Sequence, residues 1–378
     1  MSAVGTKKYV LYGIGVEAEY FLYRNQDILQ DISFCIDRKN VGTFYGLKVC
    51  HLEDVDMLRL IDTHYLIVAA GDDRTFAEIK KELCRYGLKE WEHFIWSKVF
   101  RRKVVVINAN CHGDAVKKYL WQSASFCNNY MIYPIAAVHL SEGAIDIALL
   151  RHTDVYIHQD IRRENSISYE LSDEYVRQYL SENVMDICIP NFVGMGNWMY
   201  PSLRGMEKVI NPGKESLYVL YRDQVLEEAA KECRTYEEIW KFWMDYRYEE
   251  SGLENNFALC MNKLKEREKN WDIKIYDFIM KNYKTIPCFT DASHPSKYVM
   301  KVIGRQITRI IGLTDIEDDE YESNLGMKVP IMNSVSEYFQ LDFQVSCERR
   351  KEYLGRMAVS EIDDYIKAYF WWYHQMSL

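Results

Sequence analysis

A cysteine stands between a short apolar run and a helical pattern, where a thiol can be reactive. Residues 104–107 predict a buried strand, the turn containing Asn110 and Cys111 follows, and a helix is predicted over residues 114–121. The positive end of a helix dipole stabilises an anion such as a thiolate. We therefore interpret Cys111 as a candidate nucleophile; the alternative is a cysteine that only packs beneath the turn. The candidate oxyanion donors are the side chain of Asn110 and the backbone N–H groups, taken as free, of His112 and Gly113.

A second candidate group, Asp291 and His294, has Asp-x-x-His spacing. It follows residues 285–289, which predict a strand, and Pro295 suits the first turn of a helix predicted to run to residue 311. In catalytic triads a carboxylate orients an imidazole, and the imidazole takes the proton of the nucleophile. We expect His294 to act as a general base that Asp291 orients. The combination with the cysteine turn, at the two ends of one α/β segment, carries more weight than either motif alone.

Polar residues follow two other predicted strands of this segment. Residues 154–157 and 185–189 predict strands, and Gln159 and Asn191 come soon after them. Open α/β sheets bind ligands at the carboxyl ends of their strands. Gln159 and Asn191 are therefore candidate ligand-binding residues, with ordinary loop hydrogen bonding as the alternative.

The next segment, residues 192–213, is rich in Gly, Asn, Met, Trp and Pro. We predict a loop over the site, with Trp198 and Tyr200 as stacking surfaces.

The first hundred residues contain a glycine turn typical of phosphate binding. Gly13 and Gly15 lie in a Gly-x-Gly-x-x-Ala sequence between a predicted strand and a helix, and Asp37 ends the next predicted strand. Such glycines allow a phosphate to approach the helix N-terminus, and such an acid can bind a ribose hydroxyl. The pattern predicts a small Rossmann-like domain; the alternative is a domain that only packs or dimerises.

This part of the chain resembles the N-terminal domain of bacterial sugar O- and N-acetyltransferases of the sialic-acid and bacillosamine type. That resemblance implies binding of a nucleotide-sugar. The matching residues are Gly13, Gly15, Asp37, Gly46, Val49, Ala70, Gly71 and Asp72.

The order of motifs after residue 103 is similar to that of SGNH hydrolases, with Cys111 where the serine would stand. It more closely resembles the WcbI-type family of capsule-polysaccharide biosynthesis proteins, which are regarded as acetyltransferases that bind coenzyme A. Two positions depart from the family pattern: Ala109 replaces a glycine and His112 replaces a glutamine. The matching residues are Asn110, Cys111, Gln159, Pro190, Asn191, His294 and Pro295.

The WcbI-type resemblance implies an acyl transfer from acetyl-CoA. Cys111 then either forms an acyl-thiol intermediate or holds the thioester in place. His112, Gly113, Gln159 and Asn191 become candidate coenzyme A contacts. Four cations are candidates for its phosphate groups, each with a solvated surface charge as the alternative: Arg162, Arg163, Lys297 and Arg305.

Composition limits the function classes. The 378 residues are 48% hydrophobic and carry a net charge of −9, which argues against nucleic-acid binding. The sequence has no apolar run of membrane-spanning length and no signal peptide, so we expect a cytoplasmic location. The ten cysteines form no C-x-x-C pair and no zinc-finger spacing, so we expect no metal site.

The patterns predict an α/β fold with a Rossmann-like domain over residues 1–97 and a linker at 91–103, and the resemblances imply an SGNH- or flavodoxin-like domain over 103–312. A helical cap is expected at about 222–283 and a helical extension at 313–378, whose aromatic block at 369–373 packs on the body or forms a dimer surface. The favoured function is a coenzyme A-dependent acyltransferase acting on a sugar of a surface polysaccharide. The alternatives are a glycan esterase of the SGNH kind and a non-catalytic nucleotide-sugar-binding protein. The acceptor sugar, the acyl group and self-association stay open.

Overall fold

The structure, a computed structural model, divides into two compact units. Unit 1 comprises Met1–Asn108 and Ala124–Asp186, and unit 2 comprises Ala109–Ser123 and Ile187–Leu378. The domain boundaries drawn from the sequence stay a proposal, and the aromatic block at 369–373 lies outside the described residues. The described residues are 8–141, 143–163, 168–204, 222–233, 235–314, 316, 320–323, 325 and 329–343.

Unit 1 begins with a six-stranded sheet in the order β3-β4-β2-β1-β5-β6. All its neighbouring strands are parallel except the β3–β4 hairpin. The strands are apolar because both faces of a parallel sheet are covered; Val10 and Leu11, for example, have no exposed surface. The elements are β1 (Lys8–Tyr12), α1 (Val16–Arg24), β2 (Ile32–Asp37), β3 (Gly42–Phe44), β4 (Leu47–His51), α2 (Met57–Leu60), β5 (His64–Val68), α3 (Asp73–Arg85) and β6 (Phe94–Trp96).

A second set of parallel strands follows, with β7 between β8 and β9. Between β7 and β8 the chain passes through α4 of unit 2, which begins at Cys111. The elements are β7 (Lys103–Asn108), α4 (Cys111–Leu120), α5 (Ala124–Asn129), β8 (Tyr130–Ile132), α6 (Ile147–Arg151), β9 (Val155–Gln159), α7 (Asp173–Val176) and β10 (Met185–Ile189).

Unit 2 is mainly helical after β10, and helices occupy much of the segment predicted to be a helical cap. Within it, α12 packs against α4, and the contact depends on a small residue. A Cβ atom at Gly304 of α12 would lie 2.3 Å from the ring of Tyr119 in α4. The elements are β11 (Leu203–Arg204), β12 (Arg222–Asp223), α8 (Gln224–Glu232), α9 (Tyr236–Asp245), α10 (Glu250–Glu268), α11 (Tyr276–Asn282), α12 (Lys297–Ile310) and α13 (Asn333–Phe339).

The mixed α/β class with parallel strands is confirmed, and two local predictions are wrong. The linker predicted at 91–103 contains β6, which pairs with β5. Residues 285–289 form no strand, because the N–H groups of Thr285 and Ile286 donate to the carbonyl of Asn282 at the end of α11. Only Phe289 makes an isolated bridge, to Pro295. No helix among the described residues is long and apolar enough to cross a membrane.

Candidate active site

Asn110 sets where α4 begins and therefore where the thiol of Cys111 lies. Its backbone is extended, and its side-chain oxygen accepts a hydrogen bond from the backbone N–H of His112 at 2.9 Å. Asparagine is among the preferred N-cap residues for this reason. The helix begins at Cys111, three residues earlier than predicted, so the half-buried thiol sits in the first helical turn.

The same cap changes the prediction for the oxyanion donors. The backbone N–H of His112 is taken by the side chain of Asn110, and that of Gly113 donates to the Asn110 carbonyl at 2.9 Å. The expectation that these two N–H groups are free is therefore wrong. Asn110 supports the turn through two acceptor atoms, and its role as an oxyanion donor stays a prediction.

Three side chains form a continuous hydrogen-bonded chain beside α4. Sγ of Cys111 lies 3.2 Å from Nε2 of His294, which is 183 residues away in sequence. Nδ1 of His294 lies 2.9 and 2.8 Å from the two carboxylate oxygens of Asp291. Asp291 has no exposed surface, and His294 is 8% exposed. The order thiol, imidazole, carboxylate is that of a nucleophile, a proton carrier and an orienting group.

The environment of His294 favours its charged form. Burial alone would lower the pKa of this imidazole, but the charge and hydrogen bond of Asp291, with a smaller contribution from Cys111, raise it from 6.5 to about 10. At neutral pH the ring is therefore an imidazolium that faces the sulfur. This modifies the predicted role, because a ring that is protonated on both nitrogens cannot accept a further proton as a general base.

A tight loop holds Asp291 and His294 in this arrangement. Asp291 accepts hydrogen bonds from the backbone N–H groups of Ser293 and His294, at 2.9 and 3.0 Å. The loop is closed where the N–H of Thr290 donates to the carbonyl of His294 at 2.9 Å. These local bonds explain the Asp-x-x-His spacing, because a shorter or longer interval would lose them.

His112 links helix α4 to this loop. Its ring is 2% exposed, and Nε2 donates to the carbonyl of Ser293 at 3.2 Å. The ring also meets those of Phe192 and His294 edge to face, at 5.5 and 5.8 Å between centroids. The structure therefore places His112 beside Cys111 and His294 as a positioning residue, and its predicted contact with coenzyme A stays a prediction.

The segment after Asn191 supports the loop from the other side. The N–H of Gly194 donates to Oγ of Ser293 at 3.0 Å, and that of Gly196 donates to the carbonyl of Ala292 at 2.9 Å. A Cβ atom at Gly196 would lie 2.3 Å from the carbonyl oxygen of Asp291. Sequence reasoning missed Gly196, since nothing in its local pattern marks the close approach.

The prediction that Trp198 and Tyr200 offer stacking surfaces is wrong. Trp198 has no exposed surface and packs among Phe257, Tyr283 and Phe339. The hydroxyl of Tyr200 donates to the carbonyl of Phe289 at 3.1 Å. Aromatic composition alone does not distinguish a binding face from a core.

The side-chain oxygen of Asn191 accepts a hydrogen bond from the N–H of Val193 at 3.2 Å. This contact is the ordinary loop hydrogen bonding that the sequence analysis gave as the alternative to ligand binding for Asn191.

Two of the four predicted cations lie on α12 in unit 2. Lys297 is in its first turn, three residues after His294, and forms an ion pair with Glu322. Arg305 is exposed two turns further along the helix.

The other two cations lie in unit 1 and are both exposed. Arg162 pairs with Asp160 at 3.0 Å, and the guanidinium of Arg163 lies over the ring of Tyr169. Each has a local partner, and their binding of phosphate stays a prediction.

Gln159 ends β9 in unit 1 and is 2% exposed. Its carbonyl lies 2.9 Å from Nδ1 of the neighbouring His158, a buried residue that sequence reasoning missed. His158 lies between Asp173 and Asp186, with 2.9 Å from a ring nitrogen to each carboxylate. A histidine at the end of an apolar strand is a common pattern, so the sequence alone did not indicate that His158 is held between two carboxylates.

The glycine turn of unit 1 is explained by its own packing. Gly13 has a φ of +96°, and a Cβ atom there would lie 2.9 Å from the carbonyl oxygen of Ala69. Gly15 caps α1 in an extended conformation. The carboxylate of Asp37 accepts from the N–H groups of Lys39 and Asn40 in its own turn. Nucleotide-sugar binding at these residues stays a prediction.

Comparisons with known proteins identify a family over the part of the chain that contains Cys111, Asp291 and His294. A family model described as "Polysaccharide biosynthesis enzyme WcbI" matches residues 104–315, which is more than half of the chain. A solved WcbI structure shares 17% identity, covers 72% of this chain and 90% of its own, and superposes with a TM-score of 0.54. Its description concerns native protein without a disulfide bond between coenzyme A and one of its cysteines. A comparison with curated proteins gives no match.

Proposed function

Because the chain belongs to the WcbI family of polysaccharide biosynthesis enzymes, we propose that it transfers an acyl group from coenzyme A to a sugar hydroxyl. The observation that carries this proposal is the chain of contacts from Cys111 through His294 to Asp291, at 3.2 and 2.8 Å. A thiol held against a buried imidazole–carboxylate pair is suited to an acyl-thiol intermediate.

The first half-reaction uses the proton that His294 holds. The Cys111 thiolate attacks the carbonyl carbon of the acyl-CoA thioester, forming a new S–C bond. The C–S bond to coenzyme A then breaks, and the leaving thiolate takes the proton from Nε2 of His294. The products are acylated Cys111, free coenzyme A and a neutral imidazole, so charges and protons balance.

The second half-reaction returns the proton to His294. The neutral Nε2 removes the proton of a sugar hydroxyl while its oxygen attacks the acyl group on Cys111. The S–C bond breaks, the acylated sugar leaves, and the thiolate–imidazolium pair is restored. In the alternative reading Cys111 anchors coenzyme A and the sugar hydroxyl attacks the thioester directly. Only the first route leaves an acyl group on Cys111.

Charge that develops on the carbonyl oxygen needs a positive partner. The thiol lies in the first turn of α4, whose N-terminal end carries the positive end of the helix dipole. The imidazolium of His294, with Nε2 3.2 Å from Sγ of Cys111, adds a positive charge. These two groups replace the His112 and Gly113 N–H groups in the proposed stabilisation of the oxyanion.

Two observations support coenzyme A as the acyl carrier. The description of the solved WcbI structure names coenzyme A and a cysteine and says that no disulfide bond joins them there, and in this chain Cys111 is a half-buried thiol. Of the four predicted cations, Lys297 and Arg305 lie in the same unit as Cys111, and we propose these two for the coenzyme A phosphate groups, since cations bind phosphate.

The first half-reaction can be tested without knowing the sugar. The full chain is mixed with acetyl-CoA, digested with protease and analysed by mass spectrometry for an acetyl group on Cys111. We expect acetylation of Cys111 and one free coenzyme A per chain. Cys84→Ala removes an exposed free thiol and is the matched control, which should behave as wild type.

Acetyl-CoA turnover by Cys111→Ala at the wild-type rate would reject the nucleophile role. Slower acetyl-CoA turnover in Cys111→Ala, with no acetylated Cys111 peptide at any time in the wild type, would favour the anchor. Continuous hydrolysis of acetyl-CoA in water alone would replace the sugar acceptor with water.

A further inference from the structure

Cys111, His112 and His294 bring three potential metal ligands together in unit 2. Sγ of Cys111 and one ring nitrogen from each histidine all lie within 4.8 Å of one another. In a tetrahedral zinc site, with Zn–S near 2.3 Å and Zn–N near 2.1 Å, neighbouring ligand atoms are roughly 3.5 Å apart. The 3.2 Å between Sγ of Cys111 and Nε2 of His294 is close to that separation.

We propose that Cys111, His112 and His294 form a Zn²⁺-binding site that regulates the cysteine. One thiolate and two imidazoles make a donor set that zinc prefers over the hard cations Mg²⁺ and Ca²⁺. Three protein ligands leave a fourth position for water. This goes beyond the proposed acyl transfer and also departs from the sequence-based expectation of no metal site, because His294 is 183 residues from the cysteine.

Both histidines have the second hydrogen bond that zinc-ligating imidazoles usually make. A ligating imidazole normally donates its other N–H to a carboxylate or a carbonyl. Nδ1 of His294 faces the carboxylate of Asp291 at 2.8 Å, which leaves Nε2 for the metal. Nε2 of His112 donates to the carbonyl of Ser293 at 3.2 Å, so the lone pair of the neutral ring is on Nδ1.

Zinc at this site uses the atoms that the proposed acyl transfer needs. A metal bound to Sγ of Cys111 and Nε2 of His294 displaces the proton between them into solvent and blocks attack by the sulfur. Metal binding and acylation of Cys111 therefore exclude each other. Removing the metal restores both groups, so the inhibition is reversible.

The first test needs no mutation. The full chain, freed of metal by a chelator and dialysed, is treated with limiting iodoacetamide in the presence or absence of one equivalent of Zn²⁺. Mass spectrometry then gives the extent of alkylation at each cysteine. We expect Zn²⁺ to slow alkylation of Cys111 by roughly tenfold or more, and alkylation of the exposed Cys84 to be unchanged.

The second test identifies the ligands. Co²⁺ replaces Zn²⁺, and its thiolate charge-transfer absorption reports sulfur coordination. Wild type and Cys84→Ala should bind one equivalent with this band, and Cys111→Ser should lose it. His112→Gln keeps an N–H donor for the Ser293 carbonyl but removes the imidazole, and it should weaken metal binding roughly tenfold or more.

Equal alkylation of Cys111 with and without Zn²⁺ would overturn the site, as would a charge-transfer band that persists in Cys111→Ser. Unchanged metal affinity in His112→Gln, with a circular-dichroism spectrum like that of wild type, would remove His112 from the ligand set and reduce the cluster to an adventitious pair. None of these outcomes affects acetylation of Cys111 in metal-free buffer, so the two proposals fail separately.

Discussion

Both carboxylate oxygens of Asp291 lie within 3 Å of Nδ1 of His294, at 2.9 and 2.8 Å. The same carboxylate accepts the backbone N–H groups of Ser293 and His294. Asp291 thus shapes the loop and sets the charge of the ring. The two roles separate in Asp291→Asn, because the amide oxygen can still accept both N–H groups.

We expect Asp291→Asn to lower the pKa of His294, because the negative charge of Asp291 raises it in the wild type. The imidazolium that lies 3.2 Å from Sγ of Cys111 is then lost at neutral pH. Acetylation of Cys111 should fall by about 10²- to 10⁴-fold, the usual contribution of a positioned acid–base group. Rapid mixing with acetyl-CoA and mass spectrometry give the rate.

Asp114→Asn is the matched control for charge. Asp114 is an exposed residue near the start of α4 and pairs with Lys117, so the variant changes the charge near Cys111 but leaves the Asp291–His294 contact. We expect the acetylation rate of Cys111 to change by less than about threefold, since exposed ion pairs have small interaction energies. Equal rates for Asp291→Asn and wild type would show that Asp291 only shapes the loop.

Gly196→Ala tests how the loop is held. The added Cβ atom would lie 2.3 Å from the carbonyl oxygen of Asp291 and 3.1 Å from the side chain of Phe289. Because the first of these contacts is with the backbone, the loop itself must move to relieve it. We expect a loss of about 1–3 kcal/mol of unfolding free energy and slower alkylation of Cys111, as Asp291 moves away from His294. Urea denaturation and iodoacetamide kinetics measure the two effects.

Gly143→Ala is the control for Gly196→Ala, because an added Cβ atom there meets open space. The control should keep both the stability and the alkylation rate of wild type. A fully reactive Cys111 in Gly196→Ala would mean that the loop tolerates displacement of Asp291.

The parts of the site that depend on local sequence were predictable. The start of α4 follows from a cap residue just before the helix, and Asn110 is such a residue, although the predicted start at 114 was three residues late. The Asp-x-x-His spacing reflects hydrogen bonds within a single loop. Strands of five or six residues that contain a continuous apolar run, such as residues 104–107 in β7, are easy to recognise in the sequence.

Features that depend on packing between distant segments were not predictable. The hydrogen bond from His112 to the Ser293 carbonyl joins residues 181 positions apart. Because every residue has a backbone carbonyl, the acceptor cannot be recognised from the residue type. The strand β6 has only three residues, which is too short to show the residue alternation typical of a strand. In residues 285–289, apolar side chains signalled burial correctly, since Cys288 and Phe289 are buried, but burial does not require a strand.

Gly304→Ala tests the contact between α12 and α4. The new methyl group would lie 2.3–2.5 Å from ring atoms of Tyr119, whose side chain is 1% exposed and cannot move into solvent. We expect the free energy of unfolding to fall by about 1–3 kcal/mol. This loss exceeds the stabilisation of up to about 1 kcal/mol that replacing glycine with alanine gives in a helix. Urea denaturation gives the difference.

Gly252→Ala isolates the propensity effect, because Gly252 is an exposed residue of helix α10 with open space around it. That variant should be as stable as wild type or more stable. If both variants were stabilised, the α4–α12 contact would not be close at Gly304.

The stability of the chain should also depend on the charge of His158. The ring is 1% exposed, and its two nitrogens lie 2.9 Å from Asp173 and from Asp186. Burial lowers the pKa of His158, but the hydrogen bonds and charges of the two carboxylates outweigh it and raise the pKa from 6.5 to about 9. The folded chain therefore binds this proton more tightly than the unfolded chain does.

It follows that the contribution of His158 is complete below about pH 6.5 and is lost as the pH rises through about 9. The interval between those pKa values corresponds to on the order of 3 kcal/mol. We expect the urea midpoint of wild type to fall more steeply between about pH 6 and about pH 9.5 than that of His158→Gln, which cannot titrate. Other groups titrate in both proteins, so the difference between the two curves isolates this ring. Parallel curves would show that folding does not raise the pKa of His158.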